Sequence, residues 1–273
     1  MAEGIRLDQA VVERGLATSR EKAKIMIASG RVTVDGKEIT KPGMKIQQEQ
    51  RVEARGEALP YVSRGGWKLE KAVKAFSLDF SGMICADIGA SSGGFTDCML
   101  QNGAALVYAV DVGHGQLDPT LRDDPRVVNL EGLNFRHAAK AQIPLPLDFA
   151  SVDVSFISLR LILPVLARFL KPDGRAVCLI KPQFEAGREQ VGKNGVVRSR
   201  EVHRRVVEEM TQFALQAGYA VLGLTYSPIK GPQGNIEYLL YLQSSIRPAM
   251  RLKTAAEQIV AWSHEELDRG GNV

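Results

Sequence analysis

The stretch MICADIGASSGGFTDCMLQNG, residues 83–103, constrains the fold more than any other part of the chain. MICADIGA reads as a buried strand, SSGG as a tight loop, and GFTDCMLQNG as a helix stopped by Gly103. The alternation extends on both sides. WKLEKAVKAF is a helix with Leu69, Val73 and Phe76 on one face. ALVYAVDVG is a strand ending at Asp111, RVVNLEG a third strand, and FASVDVSF a fourth with Asp153 inside it. LRLILPVLARFL reads as a helix, GRAVCLIKPQF as a fifth strand ending at Lys181, and SREVHRRVVEEMTQFALQAGY as a helix on which His203 reads as a surface residue. AVLGLTYSPI and NIEYLLYLQ are the last two strands, and the tail EELDRGGNV reads as frayed. Strands and helices in alternation predict an α/β fold with a mainly parallel, seven-stranded sheet covered on both faces. Such sheets bind ligands at the carboxyl ends of their strands. Asp87, Gly89, Asp111 and Lys181 all fall at those ends.

The first residues have a different character. Leu7, Ala10, Val11 and Arg14 have helical spacing with Gly15 as a stop. Thr18 and Glu21 have capping-box spacing and open a second helix, with Ile25 and Ile27, that Gly30 closes. RVTV, Asp35-Gly36 and KEI read as a β-hairpin. Arg6, Arg20, Lys22, Lys24, Arg31, Lys37 and Lys41 give this module its basic residues. Helix, capped helix, SGRVTVDGKEI and KPG, in that order, resemble the S4-type RNA-binding domain over about residues 5–53. The resemblance implies that these seven side chains grip structured RNA through its phosphates. The expected organisation is a small α+β domain over 1–58, a linker over 59–63 and the α/β domain over 64–273.

The net charge of +4 permits a nucleic-acid partner without demanding one. Cys85, Cys98 and Cys178 are too few and too dispersed for a disulfide framework or a zinc site, so no metal is expected. The N-terminus has no apolar signal region. The most apolar stretch, residues 157–170, is too short for a bilayer and carries Arg160 and Arg168. A cytoplasmic protein without membrane contact or an obligate protein partner is the expectation.

Three chemistries compete for the loop after Asp87. A Walker-type phosphate cradle needs Gly-Lys-Ser/Thr, and here Gly93-Gly94 is followed by Phe95 and Thr96. A nucleophile elbow at Ser91, with Asp153 and His203 in the right order, normally follows several strands rather than the first. A nucleoside cofactor fits better: the glycines allow close backbone approach, and Asp111 follows Asp87 at the distance of a ribose-binding carboxylate. Acidic neighbours suit a cationic sulfonium.

YVSRGGWKLEKA, the glycine loop, VYAVDVGHGQLDP, VDVSFISL, LIKPQFEAGREQVGKNGVVR and GPQGNIEYLL together resemble the haemolysin A (TlyA) family over nearly the whole chain. These are RNA ribose methyltransferases with an S4 domain ahead of an FtsJ/RrmJ-like catalytic domain of the Rossmann-like S-adenosylmethionine-dependent methyltransferase fold. Trp67 departs from the aliphatic residue expected there. The resemblance implies a Lys68–Asp153–Lys181–Glu237 catalytic tetrad with Lys181 as base. It also implies an S-adenosylmethionine site at Asp87, Gly89, Ser92, Gly93, Gly94, Asp111 and Asn134, with Asp153 near the methionine end. The partner implied is ribosomal RNA or a ribosomal subunit, with cytidine as the target. The residues agree with that chemistry. A ribose hydroxyl is a weak acid and benefits from a base beside a second positive charge. Asp153 and Glu237 lie in apolar runs, where a carboxylate needs a partner. IKPQF has lysine in place of the amide that amino-group methylation uses, and Cys178 is mid-strand, where it is no nucleophile for cytosine. A non-catalytic RNA-binding or ribosome-assembly factor and a membrane-active haemolysin are the alternatives.

Overall fold

The computed structural model describes residues 4–17, 20–28, 30–54, 60–245 and 255–269. They form two compact units, one up to Arg64 and one over Gly65–Arg269.

In the first unit, β1 (Ile5–Arg6) leads straight into α1 (Leu7–Glu13), which buries Leu7, Ala10 and Val11. The left-handed Gly15 ends it. α2 (Arg20–Ala28) buries Ala23 and Ile27 against the same core. Thr18 of the expected capping box lies outside the described residues. β2 (Val32–Val34) and β3 (Lys37–Glu38) form the hairpin, with Asp35 and Gly36 both at positive φ, as a type I′ turn requires. Two short pairings escape the sequence pattern. β4 (Lys45–Ile46) runs antiparallel to β1, and β5 (Val52–Ala54) antiparallel to β2. Strands this short have no periodicity to read.

The second unit runs α3 (Gly65–Phe76), β6 (Ile84–Ile88), α4 (Gly94–Gln101), β7 (Leu106–Asp111), α5 (Pro119–Arg122), β8 (Val127–Glu131), β9 (Leu147–Val152), α6 (Leu163–Leu166), β10 (Leu170–Ile180), α7 (Pro182–Glu185), α8 (Arg200–Gln216), β11 (Tyr219–Tyr226), β12 (Tyr238–Ser244) and α9 (Ala256–Arg269). Its seven strands are ordered β11-β12-β10-β9-β6-β7-β8. β10, β9, β6, β7 and β8 are mutually parallel, and β12 is antiparallel to both its neighbours. From β6 the chain builds outward through β7 and β8, then crosses back to lay β9 on the other side of β6. The switch point therefore lies between β6 and β9, where a crevice opens at the strand ends. The central strands are nearly continuous apolar runs because both their faces are covered.

Several expectations need correction. Asp153 lies one residue beyond the end of β9 rather than inside it, whereas Lys181 directly follows Ile180 at the expected end of β10. LRLILPVLARFL forms a 3-10 turn at Leu159–Leu161 and the four-residue α6 rather than one helix. Pro164 lacks the N–H a continuous helix would need there, and suits the first turn of α6 instead. β10 begins earlier than expected, at Leu170, and recovers its register with β9 only at Arg175. The tail is not frayed through Glu265–Arg269, which complete α9; Gly270 onward lies outside the described residues. No helix among the described residues is long and apolar enough to cross a membrane.

His203 is fully buried, not at the surface. Its Nε2 faces the Val197 carbonyl at 3.0 Å and so carries the proton. Its Nδ1 lies 2.8 Å from the Tyr238 hydroxyl and 3.0 Å from His264 Nε2. His264 Nδ1 meets Asp268, which also binds Lys230. These contacts staple α9 to α8 and to the start of β12, and they leave no imidazole nitrogen to serve Ser91. Burial first, then the neighbouring imidazole, pushes the His203 pKa down to about 4. Its ordinary value is near 6.5, so the unfolded chain binds a proton that the folded chain refuses. The contribution of the neutral ring is complete above about pH 6.5 and is lost as pH falls toward about 4. Urea titration will show wild type losing about 2 kcal/mol between pH 7 and pH 5 from this group, and His203→Gln losing less over the same interval. An equal loss in both proteins refutes this assignment.

Candidate active site

The loop after β6 is held from behind. Asp87 is fully buried, and its Oδ2 accepts both the Thr96 amide and the Thr96 hydroxyl at 2.8 Å, while Oδ1 accepts from Ser151 at 3.1 Å. Burial raises the Asp87 pKa to about 7 against these hydrogen bonds. The carboxyl ties the first turn of α4 to β6 and β9, and it is not on the cavity wall. Gly89 has φ 87°, and a Cβ on it would stand 2.5 Å from the Asp153 carbonyl oxygen. Glycine here lets the loop pass against the end of β9. Gly93 has φ 92°, and a Cβ would stand 2.3 Å from Leu121 of α5. Ser92 accepts the Asp118 amide through its carbonyl, and Gly94 begins α4.

In front of the loop is a cavity of about 720 Å³, within the range of small-molecule sites. Gly89, Asp111, Asn134 and Asp153 line it; Asp87, Ser92, Gly93 and Gly94 do not. Asp111 ends β7 and accepts the Ser91 amide at 2.8 Å and the Gly113 amide at 2.7 Å. Asn134 caps the turn after β8 through the Arg136 amide, and it still faces the cavity. Val110, Val112, Leu133 and Ile157 supply apolar wall. A carboxylate for a ribose, apolar sides for a purine ring and a second carboxylate at the far end fit S-adenosylmethionine.

The four residues expected to form a tetrad meet around Asp153, which alone of the four lines the cavity. Lys68 comes from α3, Asp153 from the end of β9, Lys181 from the end of β10, and Glu237 from the residue before β12. Glu237 lies 2.7 Å from Lys68, Lys68 3.5 Å from Asp153, and Asp153 2.6 Å from Lys181. The signs alternate along this chain. Burial works to raise the Asp153 pKa, and the two flanking ammonium groups outweigh it and hold the carboxyl below its ordinary value. Lys181 is the end of the chain and also donates to the Ser155 hydroxyl at 2.9 Å.

Three residues at the site carried no recognised signal in the sequence. Ser155 reads as strand. Asn235 is fully buried, accepts the Val197 amide and donates to the Gly195 carbonyl, and so fixes the segment that presents Glu237. Phe156 is 88% exposed on the cavity wall, has φ 62°, and pairs with Phe184 at 5.2 Å between ring centroids. A bulky side chain on a left-handed backbone is uncommon.

The chain matches the FtsJ-like methyltransferase family over residues 61–244 and the S4 domain over residues 5–52. It is 53% identical to YqxC of Bacillus subtilis, over 87% of this chain and 85% of that one. It is 41% identical to the 16S/23S rRNA (cytidine-2'-O)-methyltransferase TlyA of Mycobacterium tuberculosis, over 99% of this chain and all of that one (100%). A solved structure from Streptococcus thermophilus that carries the hemolysin name superposes with a TM-score of 0.80 at 48% identity, covering 98% of each chain. A mostly parallel seven-stranded sheet of this kind is the fold of S-adenosylmethionine-dependent methyltransferases. With an S4 domain ahead of that fold, the chain belongs to the TlyA, or haemolysin A, family of FtsJ-like methyltransferases.

Proposed function

We propose that this chain methylates a ribose 2′-hydroxyl of ribosomal RNA, with cytidine as the target nucleoside. The observation that carries the reading is the alternating charge chain Glu237–Lys68–Asp153–Lys181, which reaches a cavity sized for a nucleoside cofactor through Asp153. The name of the mycobacterial relative supports the choice of substrate.

Bound S-adenosylmethionine supplies an electrophilic methyl group on a sulfonium. Asp111 and Asn134 hold its ribose and adenine, and Gly89 lets the backbone approach it. Lys181 Nζ is the group placed to take the hydroxyl proton as the oxygen attacks. Asp153 and Ser155 aim that nitrogen, and the Asp153 carboxylate offsets the positive charge of the resulting ammonium. Lys68, held between two carboxylates, keeps a positive charge beside the reacting oxygen. The exposed Phe156 ring offers a stacking face to an unstacked base. In the first unit, Arg6, Arg20, Lys22, Lys24, Arg31, Lys37 and Lys41 contact RNA phosphates.

The test is transfer of labelled methyl from S-adenosylmethionine into unmodified ribosomal subunits and free rRNA, followed by digestion to nucleosides. Wild type will yield a 2′-O-methylcytidine, and Lys181→Ala will be slower by about 10² to 10⁴-fold, the usual contribution of a general base. No label with wild type on either substrate overturns the proposal in favour of a binding factor. Gly89→Ala will weaken binding of S-adenosylmethionine at least about tenfold in calorimetry, because the new methyl group forces the loop away from the Asp153 carbonyl. Unchanged affinity would remove Gly89 from the cofactor site.

A further inference from the structure

The first unit buries a carboxylate that its packing does not need. Asp8 is 0% exposed, among Leu7, Ala10 and Val11 of the core stripe. Burying a charge costs free energy unless it is well paired, and a domain this small has little stability to spare. Asp8 is paired twice. Its Oδ1 accepts from Arg6 Nε, and its Oδ2 accepts from both Arg6 Nη2 and Arg20 Nη2, each at 3.0 Å. The hydrogen bonds from Arg6, against burial, hold the carboxyl below its ordinary pKa, so it is ionised at neutral pH.

The arrangement fixes two guanidinium groups at one point. Arg6 ends β1 and Arg20 begins α2, yet both put a nitrogen on the same carboxylate oxygen. Their side chains stay 48% and 54% exposed. Among the described residues, the remaining N–H groups of both have no protein acceptor. The turn at residues 41–44 backs the Arg6 group. Its carbonyls at Pro42 and Met44 accept the Asp8 and Leu7 amides, and a Cβ on Gly43 would stand only 3.1 Å from Arg6 Nη1. One negative charge is sealed behind two positive ones, which face outward as planar donors. That donor set matches an anion with several oxygens on one centre.

We infer that Asp8 is a positioning residue that holds Arg6 and Arg20 as a paired clamp for a single phosphodiester of the RNA backbone. The inference rests on the RNA-substrate reading above and adds to it a residue that touches no RNA. It separates cleanly from simple charge attraction. Asp8→Asn makes the unit more positive by one charge, so charge attraction alone predicts tighter RNA binding, and positioning predicts weaker binding.

The measurement is filter binding of the full chain to an unmodified rRNA transcript across a salt series. Asp8→Asn is expected to bind about tenfold more weakly and with a shallower salt dependence, as one phosphate contact is lost. In methylation assays the loss falls on the KM for RNA rather than on kcat. In an Arg6→Ala/Arg20→Ala background, Asp8→Asn adds no further loss. Equal or tighter binding by Asp8→Asn overturns the inference, as does an equal loss in the background without the arginines. Should Asp8→Asn fail to fold, Arg20→Lys decides. It keeps the charge and Asp8 but gives up the planar fork, and is expected to bind several-fold more weakly; unchanged affinity overturns the clamp. A wild type that binds rRNA and transfers no methyl refutes the proposed reaction and leaves the clamp standing. A wild type that binds no rRNA refutes the clamp.

Discussion

Four ionised side chains at the edge of a protein core coexist only if each has an opposite charge beside it. Glu237, Lys68, Asp153 and Lys181 meet that condition by alternating in sign, and the architecture of the second unit serves this order. β9 and β10 are adjacent and parallel, so their last residues deliver Asp153 and Lys181 to the same edge. β12 runs the other way, with Tyr238 paired to Ile180, so its beginning lies where the parallel strands end. An antiparallel strand is the direct way to place Glu237 there. A parallel strand would put that residue at the opposite end of the sheet.

The cofactor side of the cavity depends on a different device. A carboxyl buried behind the glycine loop ties β6, α4 and β9 together, and the loop is then narrow enough to lie on the Asp153 carbonyl. The positions that shape the cavity are therefore of two kinds. Gly89, Asp111, Asn134 and Asp153 form its wall. Asp87 and Gly93 act from behind, through packing and hydrogen bonds.

The sheet was legible because its strands are continuous apolar runs, and a buried parallel sheet demands them. The set of four charged residues came from the family resemblance; of them, Asp153 and Glu237 stood out by their apolar neighbours, whereas Lys68 on its own reads as an ordinary helix lysine. What was not legible depended on partners far away in sequence. Asp87 looks like a ligand-binding residue until Thr96 and Ser151 take its oxygens. His203 lies in the charged run REVHRR and reads as surface, but it shares the buried face of α8 with Val206, Val207 and Met210. α9 was missed because its apolar residues matter only against α8 and β11. Phe156 has no pattern to betray it, since only its left-handed backbone turns the ring outward.

The span of the charge chain in sequence bears on how the protein is made. Lys68 lies near the start of the second unit and Glu237 directly precedes its last strand, and α9 then staples that strand through His203 and His264. Synthesis is slow beside local folding, with domains emerging at roughly 5–20 residues per second. For most of that time Lys68 waits in a nascent chain without Glu237. No fragment that stops short of Glu237 holds the whole charge chain, so Lys68 gains its 2.7 Å partner only after that part of the second unit has been made.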